Sequence, residues 1–260
     1  MSLFVSHGAP TFALEPGLAG PALTRLGQQL PRPAAVLVVS PHWMTRELQV
    51  GLSPAPATIH DFRGFEKALY DLQYLAPGHP DLARQALEHL EDAGWQPAPE
   101  PERGLDHGAW VPLRYLYPDA SVPVFQVSLP IDLDSRSAWQ LGRDLAPLQD
   151  AGVLIVGSGS LTHNLHEVNW GREQAADYAR DFSHWVRHVV LTRDHRRLVN
   201  TLMEAPHASR AHPTSEHFLP LLIAAGAAGE GAAATLIEGG IEHGVLSMDS
   251  FVFGSGAPSA

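Results

Sequence analysis

The 260-residue sequence contains no cysteine. This absence excludes disulfide bridges, thiolate metal sites and cysteine nucleophiles. Any metal ion that the protein binds must therefore be held by imidazole and carboxylate groups.

Basic residues are also scarce, with 17 Lys and Arg against 28 Asp and Glu and a formal charge of -11 when histidine is neutral. The chain lacks the basic stripe of a nucleic-acid-binding protein, and its acidity suits an anionic membrane surface poorly. No window approaches the roughly 18 apolar residues of a membrane span, and the N-terminus lacks the pattern of a signal peptide. These absences predict a cytoplasmic protein with no nucleic-acid or membrane partner, and they leave the oligomeric state open.

The apolar content of 45% predicts a sizeable core, and the length suits a single domain over residues 1–260. Short apolar runs of strand length alternate with longer segments that have helical spacing. The predicted strands are Leu3–Ser6, Ala35–Ser40, Gln49–Leu52, Val122–Ser128, Val153–Ser158, Ala233–Glu238 and Ser247–Val252. The predicted helices are Pro16–Gln29, Asp81–Ala93, Ala109–Tyr117, Ser135–Asp150, Gln174–Thr192, Leu198–Glu204 and Ser215–Ala227.

This alternation predicts an α/β fold with a mostly parallel central sheet flanked by helices. Several of the strands are continuous apolar runs, as expected for strands that are buried on both faces. Ligands of such sheets bind beyond the carboxyl ends of the strands, so the functional site is expected there.

Three of the fifteen histidines follow predicted strands, which places them at this edge. His7 follows the first strand, His42 follows the second, and His163 comes shortly after the strand Val153–Ser158. Imidazole is a common metal ligand. The pattern therefore predicts a metal site in which these side chains converge.

His217 stands in the segment His212–His217, at the start of a predicted helix that Thr214 or Ser215 would cap. Neighbouring residues on a helix are rotated by about 100°, so Glu216 is expected to point away from the side that His217 faces.

A second group of polar residues predicts contacts with a substrate. Asp106 is expected to cap the helix that follows it, and His107 is expected to donate a hydrogen bond to the substrate or to a reacting oxygen. His60, Asp61 and Phe62 predict a partly aromatic wall that orients a substrate hydroxyl, although His60 and Asp61 could instead support a metal ligand.

The turn at residues 157–160 (Gly-Ser-Gly-Ser) is also compatible with an anion cradle, but it matches no phosphate-binding fingerprint.

Together these motifs resemble the class III extradiol dioxygenases, the LigB-like family, and within it the 4,5-DOPA extradiol dioxygenase branch. The resemblance extends over nearly the whole chain, in order and spacing. It rests on Ser6-His7-Gly8-Ala9-Pro10, Val39-Ser40-Pro41-His42-Trp43, residues 59–65 (Ile-His-Asp-Phe-Arg-Gly-Phe), residues 105–110 (Leu-Asp-His-Gly-Ala-Trp), residues 157–164 (Gly-Ser-Gly-Ser-Leu-Thr-His-Asn) and residues 212–218 (His-Pro-Thr-Ser-Glu-His-Phe).

The resemblance implies a single α/β domain with one mononuclear metal. It implies that His7, His42 and His217 are metal ligands, that His163 is either a fourth ligand or the catalytic base, and that His107 is a further active-site histidine. The original LigB enzymes use two histidines and a glutamate. Here the third position carries His217, with Glu216 beside it.

The implied reaction is extradiol ring cleavage of a catechol-type, DOPA-like substrate with O2. Fe(II) is the cofactor implied for activity, and Zn(II) is the metal expected in isolated protein. The histidines alone leave two alternatives open. One is a zinc-dependent hydrolase on the same site, and the other is a metal- or ligand-binding protein without turnover.

Overall fold

The computed structural model describes residues 1–171 and 174–254, which are built around an eight-stranded sheet. The strands are β1 (Ser2–Ser6), β2 (Ala35–Thr45), β3 (Gln49–Gly51), β4 (Ala98–Glu100), β5 (Val124–Pro130), β6 (Val153–Gly159), β7 (Ala234–Ile237), β8 (Ile241–Glu242), β9 (Leu246–Ser247) and β10 (Ser250–Phe253). Strands β8 and β9 form a separate two-stranded pair, and the order in the main sheet is β4-β3-β5-β2-β6-β1-β10-β7.

The centre of the sheet is parallel, because β2 pairs in parallel with both β5 and β6, and β6 pairs in parallel with β1. Antiparallel pairs occur towards the edges, where β10 joins β1 to β7 and where β3 meets β5. The predicted α/β class with a mostly parallel sheet is confirmed. Since β1, β2 and β6 are neighbours and run in one direction, their carboxyl ends meet at one edge.

Helices cover both faces of the sheet. They are α1 (Ala19–Gln29), α2 (Lys67–Tyr70), α3 (Pro80–Asp92), α4 (His107–Leu116), α5 (Ser135–Leu145), α6 (Asp177–Leu191), α7 (His195–Val199), α8 (Thr201–Glu204), α9 (Ala208–Ala211) and α10 (Leu219–Ala228). Phe4 packs into a core shared with α3, α5, α6 and α10, whereas Leu3 and Val5 pack into a core shared with α1 and α4. This division follows the alternation of side chains along a strand.

None of the helices in these described ranges combines the length and the apolarity that a bilayer crossing demands.

Two differences from the predicted elements affect the site. Strand β2 continues through His42 to Thr45, with a shift of register against β5 between Val39 and Met44. The helix predicted from Ser215 begins only at Leu219, so His217 lies in the turn before it. Pairing of Met44 and Thr45 with β5 extends the strand, and the carbonyl of His217 accepts a hydrogen bond from Ser160, which follows β6.

Two glycines of β6 allow the turn around His217 and the first residues of α10 to approach the sheet. A Cβ atom at Gly157 would overlap the carbonyl oxygen of Pro220, and one at Gly159 would overlap the carbonyl oxygen of His217. The backbone N–H of Ser160 donates a hydrogen bond of 3.0 Å to that same His217 oxygen. The glycines thus serve close backbone packing, which is one of their ordinary roles in strands.

We expect Gly157→Ala to destabilise the protein by about 1–3 kcal/mol, because the added methyl group forces the start of α10 away from β6. Urea unfolding followed by circular dichroism measures the change. Gly51→Ala is the matched control, since a Cβ atom there would lie 3.5 Å from its nearest neighbour, the carbonyl oxygen of Gln126. An equal loss of stability in both variants would contradict this account of Gly157.

Candidate active site

The carboxyl ends of β1, β2 and β6 carry the histidines that the strand pattern predicts. His7 directly follows β1, and its backbone N–H donates a 2.9 Å hydrogen bond to the carbonyl of Gly159. His42 lies in the irregular end of β2, and the Nε2 atoms of His7 and His42 are 3.0 Å apart. His163 follows β6 and is fixed by a 2.8 Å hydrogen bond from its N–H to the carbonyl of Ala211.

His107 joins these residues from the first position of α4. Its ring centroid is 3.9 Å from that of His42 and 5.4 Å from that of His7. His7, His42 and His107 each offer a ligand atom within 4.8 Å of the others, and His163, Glu216 and His217 form a second such group. The ring of His217 links the two groups, with centroids 5.4 Å from His7 and 5.2 Å from His42.

The tautomer of His7 is set by its Nδ1 atom, which lies 3.0 Å from the hydroxyl oxygen of Ser158. The single proton of that hydroxyl is donated to the carbonyl of Gly108. Ser158 must therefore accept from His7, so Nδ1 carries the proton and Nε2 carries a lone pair. The sequence pattern assigned no role to Ser158, although a serine within an apolar buried strand is a signal of this kind.

Asp61 sets the tautomer of His107, as Ser158 sets that of His7. Its carboxylate accepts a 2.8 Å hydrogen bond from the backbone N–H of His107 and another of 2.8 Å from Nδ1. The same carboxylate lies 3.6 Å from Nδ1 of His42, which favours the proton on that nitrogen too. Burial by itself raises the pKa of Asp61, but the hydrogen bonds from His107 outweigh it and lower this pKa to about 2.

The expected cap of α4 by the Asp106 side chain is wrong. Asp106 occupies the position before the helix, but its carboxylate accepts hydrogen bonds from the Ser40 hydroxyl at 2.7 Å and from the Gln126 amide at 2.8 Å. A fully buried carboxylate needs such partners. Asp61 takes its place as the acceptor for the first N–H of α4.

Glu216 does not point away from His217, as had been expected from helical geometry. Because both residues lie in a turn, Oε1 of Glu216 reaches back to within 3.0 Å of Nδ1 of His217. The Thr214 hydroxyl donates to this same carboxylate at 2.9 Å and does not cap a helix. The helix is not capped by Ser215 either, since it begins after Phe218 without a side-chain cap.

His217 and His163 stack face to face, with ring centroids 3.5 Å apart and planes within 8° of parallel. An ion bound to an imidazole nitrogen lies close to the plane of that ring. Two rings that share one ion therefore need planes that intersect at the ion, and the stacked planes of His163 and His217 do not. This arrangement favours a role for His163 other than that of a ligand beside His217.

The rings of His7, His42, His163 and His217 are neutral at pH 7. Burial and the neighbouring histidines lower the pKa of His7 and of His217 well below its usual value of 6.5. The pKa of His42 falls to about 3, mainly through burial and the proximity of His107, and burial lowers that of His163 to about 4. Neutral imidazole is the form that binds metal ions and accepts protons.

These features fit a divalent cation. The Nε2 lone pairs of His7 and His42 meet at 3.0 Å, close to the roughly 3.3 Å between two nitrogen ligands of a tetrahedral site. Nε2 of His217 is buried and has no hydrogen-bond partner among the described residues. Such an arrangement is unfavourable without a proton or a cation to neutralise the lone pairs.

The remaining predicted residues lie beside this cluster. The buried ring of Phe62 meets the ring of His107 edge to face at 5.7 Å, and His60 packs against Phe62 at 5.8 Å. Nε2 of His60 lies 2.9 Å from the carbonyl oxygen of Leu72, which leaves this nitrogen engaged within the protein. Phe62 therefore adjoins the histidines directly, whereas His60 stands behind it.

Comparison with known proteins matches these features to one family. Residues 18–248 match the model of the catalytic LigB subunit of aromatic ring-opening dioxygenase. This range includes four of the five clustered histidines, and His7 precedes it.

Two relatives are both named 4,5-DOPA dioxygenase extradiol. The protein from Beta vulgaris is 38% identical over 98% of this chain and 96% of its own length. The protein from Escherichia coli K12 is 40% identical over 97% of this chain and 94% of its own length.

A solved structure of an uncharacterised Escherichia coli K12 protein has the same fold, with a TM-score of 0.81 and 35% identity. The similarity covers 96% of this chain and 98% of that protein. Since the family match, the relatives and the fold agree over almost the whole chain, this protein belongs to the LigB family of aromatic ring-opening dioxygenases.

Proposed function

We propose that the protein is an Fe(II)-dependent extradiol dioxygenase that opens the ring of a catechol-type substrate with O2. The observation that carries the proposal is the convergence of His7, His42 and His217. The Nε2 atoms of His7 and His42 lie 3.0 Å apart, and the buried Nε2 of His217 has no hydrogen-bond partner among the described residues. The names of the relatives suggest a DOPA-like dihydroxy aromatic as the substrate.

His7, His42 and His217 are the residues that would hold the metal. His217 is preferred as the third ligand because its buried Nε2 has no partner among the described residues, while its Nδ1 is paired with Glu216. Carboxylate partners of this kind orient metal-binding histidines in many proteins. Ferrous iron would supply the redox chemistry and acidify the catechol hydroxyls, whereas zinc, which has no redox chemistry, would bind without supporting ring cleavage.

His163 would act as the base. It is neutral at pH 7, it is partly accessible to solvent, and its ring is stacked on that of His217. These properties allow it to accept a proton from a substrate hydroxyl next to the metal ligands and to return it later.

His107 and Phe62 would contact the substrate side of the site. Because Nδ1 of His107 donates to Asp61, Nε2 carries the lone pair and would accept a hydrogen bond from a substrate hydroxyl, in place of the donation expected from the sequence. The buried Phe62 ring beside it offers an apolar edge to an aromatic ring. His60 would keep Phe62 in place, since it packs behind that ring and its Nε2 is engaged with Leu72.

We expect protein reconstituted with Fe(II) under argon to consume O2 and form a yellow product when a catechol and air are added. His7→Ala and His42→Ala should lose the metal and reduce oxygen uptake to the background rate, because each variant removes a ligand. An oxygen electrode and elemental analysis measure the two effects. His184→Ala, at an exposed position on α6, is the control that should behave as wild type.

Assays of the wild-type protein also distinguish the dioxygenase from the hydrolase and from the binding protein. Absence of oxygen uptake across a panel of catechols would refute the dioxygenase. Ester or amide hydrolysis by the zinc-loaded protein would then support the hydrolase, and tight catechol binding without any turnover would support a binding protein.

His163→Ala and His217→Ala should differ in what they lose. Removal of the base should lower kcat at least 100-fold with near-normal iron content, whereas removal of the ligand should lower iron content and activity together. Elemental analysis and oxygen uptake on the same samples measure both quantities. Parallel losses of iron and activity in His163→Ala would make His163 a ligand instead.

A further inference from the structure

We propose that Asp61 is a positioning residue that locks the ring of His107 in one orientation and one tautomer beside His42, an inference that rests on the proposed dioxygenase function. The sequence predicts that Asp61 either orients a substrate hydroxyl or supports a metal ligand. Both of its carboxylate oxygens are instead engaged by His107, one by the backbone N–H and one by the ring.

The two hydrogen bonds constrain His107 at both ends of its side chain. The bond to the backbone N–H fixes the start of α4, and the bond to Nδ1 fixes the rotation of the ring. Rotation of the imidazole by half a turn would exchange Nδ1 for a C–H group and break the 2.8 Å contact with the carboxylate. The carboxylate also holds the proton on Nδ1, so that Nε2 keeps its lone pair.

The same carboxylate couples His107 to His42. The carboxylate lies 3.6 Å from Nδ1 of His42, and the ring centroids of His42 and His107 are 3.9 Å apart. One anion therefore accepts a hydrogen bond from Nδ1 of the proposed substrate contact, His107, and lies near Nδ1 of a proposed ligand, His42, at a distance too long for a second hydrogen bond. The side chain of Asp61 is 19% exposed, so water screens these interactions only in part.

The segment that carries Asp61 is well anchored. The backbone N–H of Ile59 donates to the carbonyl of Leu105 at 2.8 Å, and the N–H of Leu105 donates to the carbonyl of Ala57 at 2.8 Å. The indole N–H of Trp110 donates to the carbonyl of Ile59 at 2.9 Å. Because Leu105 and Trp110 flank His107 in sequence, these bonds tie Asp61 and His107 into one rigid unit. A preorganised partner of this kind limits the motion of the group that it holds.

Asp61→Asn tests the proposal because the amide keeps the size of the side chain. Its single oxygen can accept from only one of the two donors of His107, and its NH2 group cannot accept from Nδ1. We expect kcat of the iron-loaded variant to fall about 10–100-fold, the range seen when such supporting groups are removed. KM for the catechol should stay within about threefold, and iron content should be unchanged. Asp71→Asn, at an exposed position, is the control.

A double-mutant cycle separates positioning from a general structural effect. If Asp61 acts through His107, the Asn substitution should change kcat less than about twofold in a His107→Ala background. An undiminished effect in that background would overturn the proposal, as would wild-type kcat in the single Asp61→Asn variant.

The tautomer provides a readout that does not depend on turnover. In zinc-loaded, 15N-labelled wild-type protein, two-bond 1H–15N spectra should show His107 with its proton on Nδ1, assigned by comparison with His107→Ala. In Asp61→Asn the proton should no longer be confined to Nδ1, so a population protonated on Nε2 should appear. A wild-type His107 protonated on Nε2 would refute the proposal even if the variant failed to fold. Inactivity of wild-type enzyme with a correct tautomer would instead refute the dioxygenase and leave the positioning role intact.

Discussion

The site depends on one repeated interaction, in which a buried imidazole is held through its Nδ1 atom by a side-chain oxygen. Ser158 holds His7, Asp61 holds His107, and Glu216 holds His217. Each contact fixes a tautomer as well as an orientation. The Nε2 atoms are thereby left with lone pairs in a region from which water is largely excluded, and this is the condition under which imidazole nitrogens bind a cation.

The backbone makes this crowding possible. Three neighbouring parallel strands end at one edge, and two glycines of β6 let the first residues of α10 and the turn before this helix come close to that edge. Gly8 contributes in another way, since it takes a positive φ of 59° directly after His7, where a Cβ atom would also clash with Met248. Residues that are far apart in the sequence therefore lie within a few ångströms of one another.

Much of this arrangement could be predicted from the sequence. Continuous apolar runs such as Val153–Ser158 indicate buried parallel strands, and the strand ends locate His7 and His42 without knowledge of the structure. The contacts of Asp61 and Glu216 could not be found in this way. They depend on where a loop and an irregular turn lie in space, and local periodicity predicts a continuous helix from Ser215 that tertiary hydrogen bonds prevent.

The buried, neutral imidazoles also make the stability of the protein in acid depend on whether a cation occupies the site. The unfolded chain takes up protons on these histidines near pH 6.5, whereas His163 and His42 in the folded chain resist them down to about pH 4 and about pH 3. The unfolded state therefore binds more protons in this interval, so the folding free energy contributed by these rings is full above pH 6.5 and declines as the medium is acidified. A cation on the same nitrogens competes with those protons, so the loaded protein should withstand acid that unfolds the empty one.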